Sequence, residues 1–338
     1  MLAMKKNITI SPVFYTTNIN NFLDININLD LDKFNLAVDE LKKDYCKNEF
    51  KRDDRFKANW DHITNENRET LIKILKMYCE AEYSGFILYK ELSYQLKDEQ
   101  PLLAEAFSLM SRDEARHASF LNQALADFNL QPKLDFLNKQ QRKYQKLPFS
   151  WFLFSTYLSE KLSSCYYMTI FKQIQNNPQY SIYPLFDFYP SWSSDEKRHG
   201  NLLGVILNTQ PQFAQGLKAK LSCKFLLLLI FSQSYLRHQN NQQILSLFGL
   251  NSRDYSLSTI KQVNHSIAQH LPLTLNLENS SFFQKLDRCL TYISRNEKVT
   301  TSTQNYLVKL GQKIINNLSI VFILLTLFFT PTITNKNT

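Results

Sequence analysis

One five-residue pattern occurs twice in this chain, as Asp113-Glu114-Ala115-Arg116-His117 and as Asp195-Glu196-Lys197-Arg198-His199. In both copies a glutamate precedes a histidine by three residues, so on a helix both side chains point the same way and can bind one metal ion. The chain has 14 glutamates and six histidines in 338 residues, and chance would give only about a quarter of one Glu-x-x-His match. Two matches of nearly the same sequence therefore indicate a function.

The composition predicts an all-α protein of one large domain or two. Only six glycines and ten prolines occur, and no long run alternates apolar and polar residues, so helix is favoured over sheet. The five cysteines are scattered without a Cys-x-x-Cys pair, which fits a reducing compartment and excludes a zinc–thiolate site. The net charge of +9 suits an anionic membrane surface or an acidic small molecule, and no motif indicates nucleic-acid binding.

Four long helices are predicted between residues 64 and 207. Thr64 or Asn65 caps the first, whose first turn is acidic as the helix dipole prefers, and Pro101 suits the first turn of the second. Pro190 predicts that the fourth helix is kinked there or starts after it. The predicted ranges are 65–94, 101–127, 148–175, and 183–207 or 191–207. The polar, basic segment 128–147 is predicted to be a solvated loop, although its length also fits the long crossover of a ferritin-like bundle.

Each predicted helix places one glutamate on its apolar stripe, namely Glu82, Glu114, Glu160 and Glu196. Burying four unpaired carboxylates would be prohibitive, whereas two divalent cations cancel four negative charges. His117 and His199 complete an oxygen-rich ligand set that suits iron or manganese better than zinc. Asp113 and Asp195 are candidate acceptors for the N–H of a ligand histidine, and Arg116 and Arg198 are candidate partners of these aspartates.

The predicted organisation has four parts: an irregular and partly helical extension over 1–62 with a helix near 33–47, a ferritin-like dimetal four-helix bundle over 63–210, a helical region over 211–312, and an apolar tail over 313–338. The first ten residues show no secretory signal. The apolar run 318–329 is short of the about 20 residues that span a bilayer. We interpret it as a membrane-surface anchor, and a buried terminal helix is the alternative.

Several segments resemble the oxygen-dependent magnesium-protoporphyrin IX monomethyl ester cyclases. The most specific are the Glu-Tyr-Ser-Gly-Phe of 82–86 and the repeated five-residue pattern, and similarity extends to 11–17, 81–92, 111–118, 157–161 and 195–200. The resemblance covers about residues 10–290, and Pro190 and the extended apolar tail depart from it. It implies that two irons are bound and that catalysis takes place at this iron pair. The residues implied as iron ligands, and through the irons as catalytic residues, are Glu82, Glu114, His117, Glu160, Glu196 and His199.

The same resemblance implies a reaction, cofactors and partners. The methylated propionate of the magnesium porphyrin would be hydroxylated, oxidised to a ketone and closed onto the neighbouring meso carbon, giving divinyl protochlorophyllide with the fifth ring of chlorophyll. NADPH is the expected reductant, through ferredoxin, because no Rossmann glycine fingerprint occurs. A small accessory subunit is expected as well. The abundance of Asn, Ile, Lys and Phe hints at a plastid genome, so we expect a membrane-associated plastid protein, with the cyanobacterial cytoplasm or thylakoid as alternative.

The residues, without the resemblance, are also compatible with two other functions. The same bundle could serve iron storage or peroxide scavenging, as in ferritin- and rubrerythrin-like proteins, although the residues beyond 207 argue against it. A membrane-docked helical scaffold without chemistry would leave Glu114 and His117 dispensable.

Overall fold

The computed structural model describes residues 6–210, 216–278, 281–301 and 305–334. The first five residues of the predicted extension and the last four of the predicted tail lie outside the described residues. The chain divides into two compact units, unit 1 (Met1–Gln210 with Gln243–Asn251) and unit 2 (Pro211–Gln242 with Ser252–Thr338). The described residues are mostly helical, so the all-α prediction is confirmed.

Unit 1 is built on four long helices that follow two shorter ones. The long helices pack in sequential pairs, α3 along α4 and α5 along α6. Pro101 and Pro190 lie in the first turns of α4 and α6, where a backbone N–H has no helical acceptor. The expected kink or later start at Pro190 was therefore wrong. The helices are α1 (Asn20–Leu23), α2 (Leu31–Lys42), α3 (Asn65–Leu96), α4 (Pro101–Asp127), α5 (Phe149–Asn176) and α6 (Tyr189–Asn208).

Short strands tie the N-terminal residues to the segment that links the helix pairs. Strand β1 (Lys6–Thr9) pairs in parallel with β3 (Leu130–Lys133), and β2 (Phe14–Thr16) with β4 (Tyr144–Lys146). The segment 128–147 is thus not the solvated loop that its polarity predicted. Helix α2 also ends before the predicted residue 47, because Asp44 has a φ of 46°, which a right-handed helix cannot continue through.

Unit 2 contains α7 (Gly216–Asn240), α9 (Ser252–Ser266), α10 (Ser281–Thr301) and α11 (Tyr306–Leu327), and the short α8 (Gln242–Ser246) precedes α9 at the boundary between the units. Strand β5 (Leu273–Leu275) pairs antiparallel with β6 (Thr332–Thr334). Helix α11 packs on α10, and it starts before the predicted tail boundary at residue 313. It has 22 residues, but only 17% of its most apolar stretch is buried. The alternative of a buried terminal helix was therefore wrong.

Candidate metal centre

The four bundle helices bring six ionisable side chains together in the interior of unit 1. Helices α3 and α5 each contribute one glutamate, whereas α4 and α6 each contribute a glutamate and the histidine one turn later, as the i, i+3 spacing predicts. All six are buried, with exposed fractions of 4% for Glu82, 4% for Glu114, 0% for His117, 7% for Glu160, 4% for Glu196 and 0% for His199.

These side chains form two overlapping groups, each able to surround one cation. One group is Glu82, Glu114, His117 and Glu196, and the other is Glu114, Glu160, Glu196 and His199. Within each group the potential ligand atoms lie within 4.8 Å of one another. Because Glu114 and Glu196 belong to both groups, they are placed to bridge two neighbouring ions. Each remaining Glu and His pair serves one ion.

The histidines are oriented by aspartates of the opposite repeat. His117 Nε2 lies 3.1 Å from Asp195 Oδ2, and His199 Nε2 lies 3.4 Å from Asp113 Oδ2. A carboxylate accepts the N–H, so the proton sits on Nε2 and leaves Nδ1 as the ligand atom. Arg116 and Arg198 pair with Asp113 and Asp195 respectively, within their own repeats. The sequence could not show that each histidine pairs with the aspartate of the other repeat, since this pairing depends on how the helices are arranged.

Two tyrosines, which the sequence reasoning overlooked, hold the outer carboxylates. The Tyr89 hydroxyl of α3 donates to Glu160 Oε1 of α5, and the Tyr167 hydroxyl of α5 donates to Glu82 Oε1 of α3 at 2.9 Å. Each tyrosine follows the glutamate of its own helix by seven residues, which is two helical turns. This repeated Glu–Tyr spacing was the signal that could have revealed them.

The polar groups of the site are incompletely satisfied by protein partners. Glu160 Oε2 and His199 Nδ1 are buried without a hydrogen-bond partner, although they lie only 3.4 Å apart. Glu114 Oε1 lies 3.2 Å from the same nitrogen, so two carboxylates crowd it, and a cation bound among these atoms would relieve the crowding of like charges. The oxygen-rich donor set with one nitrogen per position suits iron or manganese. The residues therefore fit two metal ions.

When metal is absent, protonation of the buried side chains neutralises part of the negative charge that the metal ions would otherwise neutralise. Burial and the neighbouring Glu82 raise the pKa of Glu114 well above its usual value, and burial with Glu160 does the same for Glu196. Burial opposes the charged form of His117, but the hydrogen bonds to Asp195 and Glu82 raise its pKa to about 10. Because ligands must be deprotonated, metal binding here has to release protons.

Aromatic rings enclose the site. The ring of His117 lies 4.7 Å from that of Trp192 and 5.0 Å from that of Phe50, and the ring of His199 lies 6.2 Å from that of Tyr89. Phe50 comes from the N-terminal part of the chain, where no sequence pattern predicted a site residue. Such an enclosure excludes water and strengthens the electrostatic interactions inside.

Comparisons with known proteins agree with this geometry. Residues 73–206 match the model of the Rubrerythrin family, so the bundle is a ferritin-like diiron domain. The chain is 38% identical to the magnesium-protoporphyrin IX monomethyl ester [oxidative] cyclase of Trichodesmium erythraeum, over 91% of this chain and 86% of that protein. It is 40% identical to cyclase 1 of Synechocystis (87% and 81% covered) and to the cyclase of Pyropia yezoensis (84% and 81%). No solved structure matches the chain.

Proposed function

This chain belongs to the family of magnesium-protoporphyrin IX monomethyl ester oxidative cyclases, and we propose that it catalyses the reaction for which that family is named. The substrate is magnesium-protoporphyrin IX monomethyl ester, which is oxidised with O2 and closed into the isocyclic fifth ring, giving divinyl protochlorophyllide. The observation that carries this proposal is the meeting of both five-residue patterns and two further buried glutamates at one enclosed point.

In this proposal two irons are held by the six buried side chains. Glu114 and Glu196 would be shared between the two irons, Glu82 with His117 would hold one iron, and Glu160 with His199 would hold the other. When bound, the iron pair supplies the activation of O2 that an unactivated C–H bond requires. The protein supplies what the cofactor lacks: Asp113 and Asp195 hold the imidazoles in one tautomer.

Other side chains prepare the site for oxidation in a dry environment. Tyr89 and Tyr167 donate hydrogen bonds to the outer carboxylates and so fix where these glutamates can move. Phe50 and Trp192 cover the His117 side and keep bulk water out. Preorganised ligands and excluded water both favour oxidation of the substrate over release of reactive oxygen species.

The reducing electrons would come from NADPH through an acidic carrier such as ferredoxin. A basic surface, formed by Lys133, Lys139, Lys143 and Lys146, supports this proposal. All four lysines are exposed, and Asp135 is the only acidic residue of the segment 130–147. The segment lies against α3, where the Phe136 ring contacts that of Tyr83 at 5.0 Å. Tyr83 is next to Glu82, so the segment that carries the basic surface packs on a helix that supplies a candidate ligand.

Charge reversal tests this surface. A Lys139→Glu, Lys143→Glu, Lys146→Glu variant should be reduced more slowly by reduced ferredoxin at low salt but equally fast by dithionite. A control variant reverses three exposed lysines elsewhere on unit 1, Lys47, Lys51 and Lys172. Equal slowing in both variants would contradict the proposed surface. On the family premise we also expect a small accessory subunit to be required.

We further propose that unit 2 docks on an anionic membrane, within a plastid, where the chain would be plastid-encoded. The relatives come from cyanobacteria and algae. Two described helices, α7 and α11, are long and apolar enough to cross a membrane, although half of the most apolar stretch of α7 is buried. Unit 2 has 13 Lys and Arg against four Asp and Glu, whereas unit 1 has 26 of each. Helix α11 adds exposed apolar side chains, among them Leu318 (64%), Phe322 (68%) and Leu325 (64%).

Vesicle binding tests the membrane proposal. The protein should sediment with phosphatidylglycerol vesicles, less so with phosphatidylcholine vesicles or at high salt. Phe322→Asp with Leu325→Asp should abolish sedimentation while leaving iron content unchanged, because both residues lie in unit 2. Unchanged sedimentation of this variant would contradict α11 as the docking element.

Single-turnover chemistry tests the enzymatic proposal. Protein loaded anaerobically with iron should show an iron pair by Mössbauer spectroscopy. With its accessory subunit, an electron donor and O2, it should convert the porphyrin ester. A loaded and reduced protein that never converts the ester, yet reduces peroxide, would favour the rubrerythrin-like alternative.

A further inference from the structure

The two tyrosines at the metal centre have different neighbours. The ring of Tyr167 lies 4.7 Å from that of Tyr189, 5.5 Å from that of Trp192 and 5.7 Å from that of Tyr78. The ring contacts of Tyr89 are Phe107 at 6.0 Å and His199 at 6.2 Å. Phenols and indoles lose an electron far more easily than a phenylalanine ring does. Among the described residues, Tyr167 but not Tyr89 therefore belongs to a series of easily oxidised side chains.

This oxidisable series runs from the centre to the surface of the protein. Trp192 lies beside His117 at 4.7 Å, and Tyr167 binds Glu82. Tyr167, Tyr189 and Trp192 are buried, whereas Tyr78 is partly exposed. Every step between neighbouring rings is a van der Waals contact or close to it, so an electron can move between them without a long gap.

We propose that Tyr167 and Tyr78 carry oxidising equivalents from the metal centre to the surface when O2 reacts without substrate. The inference rests on the proposed function, because the centre must first react with O2. Its benefit is protection: an oxidant left in the site would otherwise attack the ligands or the buried aromatic rings around it. Tyr89 binds Glu160, but its ring contacts among the described residues are Phe107 and His199, so it does not take part.

Each step balances in electrons and protons. Tyr167 gives one electron to the oxidised centre, and its hydroxyl proton passes to Glu82 Oε1 along the existing 2.9 Å hydrogen bond. Tyr78 then gives one electron to the Tyr167 radical, and Tyr167 recovers its proton from Glu82. The hydroxyl proton of Tyr78 leaves to water, since this ring is partly exposed. A small thiol in solution finally donates a hydrogen atom to the Tyr78 radical, and the centre has gained one electron.

The test uses the full-length, iron-loaded protein, reduced with dithionite, desalted and mixed with O2 in the absence of porphyrin. Iron content and O2 uptake are measured first, and a nitroso spin trap marks the residue that carries a radical, which peptide mass spectrometry identifies. We expect the adduct on Tyr78 in the original sequence. Tyr167→Phe should reduce it severalfold, leaving only the longer route through Trp192 and Tyr189 to Tyr78. Tyr78→Phe should leave the radical on the buried rings, visible by electron paramagnetic resonance.

Tyr89→Phe is the matched control, because it also removes a buried hydrogen bond to an outer carboxylate. If the tyrosines merely position glutamates, the Tyr89→Phe and Tyr167→Phe variants should reduce the adduct equally, and the inference is overturned. Normal O2 uptake without an adduct on Tyr78 overturns it as well and leaves the proposed function intact. Absence of iron binding or O2 uptake in the original sequence would remove the proposed function and this inference together.

Discussion

Unit 1 brings four carboxylates and two imidazoles together at one buried site, and its formal net charge is zero. Unit 2 carries the whole net charge of +9, and none of its described Lys and Arg side chains is buried. Among the described residues, both groups of potential metal ligands lie in unit 1. The difference shows that ionisable residues act in two ways. Buried charges of one sign demand a specific counter-ion, and dispersed surface charges favour a broad surface of opposite sign.

The largest effect should follow from removing a shared carboxylate of unit 1. Loss of an orienting partner alone weakens metal sites by about 10–100-fold, and Glu114→Ala removes a ligand from both positions, so iron binding and turnover should fall by more than this. The stability of the metal-free variant should change little, since loss of a buried carboxyl that burial disfavours offsets the cavity that alanine leaves. Iron per chain and thermal melts measure both effects. Glu105→Ala, an exposed glutamate of the same helix, is the control, and equal iron loss there would contradict the assignment.

Metal removal should make unit 1 sensitive to rising pH. In the metal-free protein the pKa values of Glu114, Glu196 and His117 are raised, that of His117 to about 10. A raised folded-state pKa gives stability that is present at low pH and lost as pH rises through the folded value. Between about pH 6 and pH 9 the metal-free melting temperature should therefore fall by about 5 °C or more.

The iron-loaded protein should change far less over the same range, because metal binding favours the native state and keeps the ligands deprotonated. All three tryptophans, Trp60, Trp151 and Trp192, lie in unit 1, so tryptophan fluorescence follows this unit alone. Parallel pH profiles for the two forms would mean that the carboxylates do not share a site.

A smaller effect on iron binding should distinguish alanine substitutions at two glycines, Gly85 in unit 1 and Gly311 in unit 2. A Cβ at Gly85 would lie 2.9 Å from Glu114 Oε2, whereas a Cβ at Gly311 would meet nothing within 4 Å. Gly85→Ala should displace the shared carboxylate and weaken iron binding by about 10–100-fold. Gly311→Ala should leave iron binding unchanged and raise the helix propensity of α11 by about 1 kcal/mol. Iron titrations of both variants measure the contrast, and equal affinities would show that Glu114 tolerates the movement.

The smallest effect concerns unit 2, where pH should act in the opposite direction. Burial lowers the pKa of His238 to about 3, and its Nδ1 lies 3.0 Å from Ser256 Oγ. A histidine with a lowered folded-state pKa contributes stability above about pH 6.5 that is lost as pH falls, about 2 kcal/mol between pH 7 and pH 5. The His238→Gln variant has no titrating group at this position, so it should lose less stability over this pH range than the original sequence does. The free energy of unfolding of unit 2 is measured at pH 7 and pH 5 by urea unfolding, followed by hydrogen exchange of α9 peptides that are pulsed at one fixed pH. Equal losses of stability in the two proteins would contradict a buried neutral imidazole.

The sequence predicted what depends on spacing within one helix. The Glu-x-x-His repeats and the four glutamates on apolar stripes required only the helical period, and the structure brings these six side chains together. It could not predict contacts that depend on the order of helices in space, such as the crossing of Asp113 to His199. Nor could it predict the pairing of β1 with β3, which joins residues more than a hundred positions apart. Pro190 was misjudged because its effect depends on whether it falls in the first turn.

The crossed aspartate–histidine pairs make the two halves of the bundle mutually dependent. His117 is oriented by Asp195, and His199 by Asp113. During synthesis, a nascent chain that has emerged only through α4 carries a glutamate–histidine pair but lacks the group that fixes its imidazole. Iron binding should therefore be weak until α6 has docked, because α5 and α6 also supply three of the six candidate ligands. A truncated or half-folded chain should then hold redox-active iron only weakly, because tight binding requires both halves of the bundle.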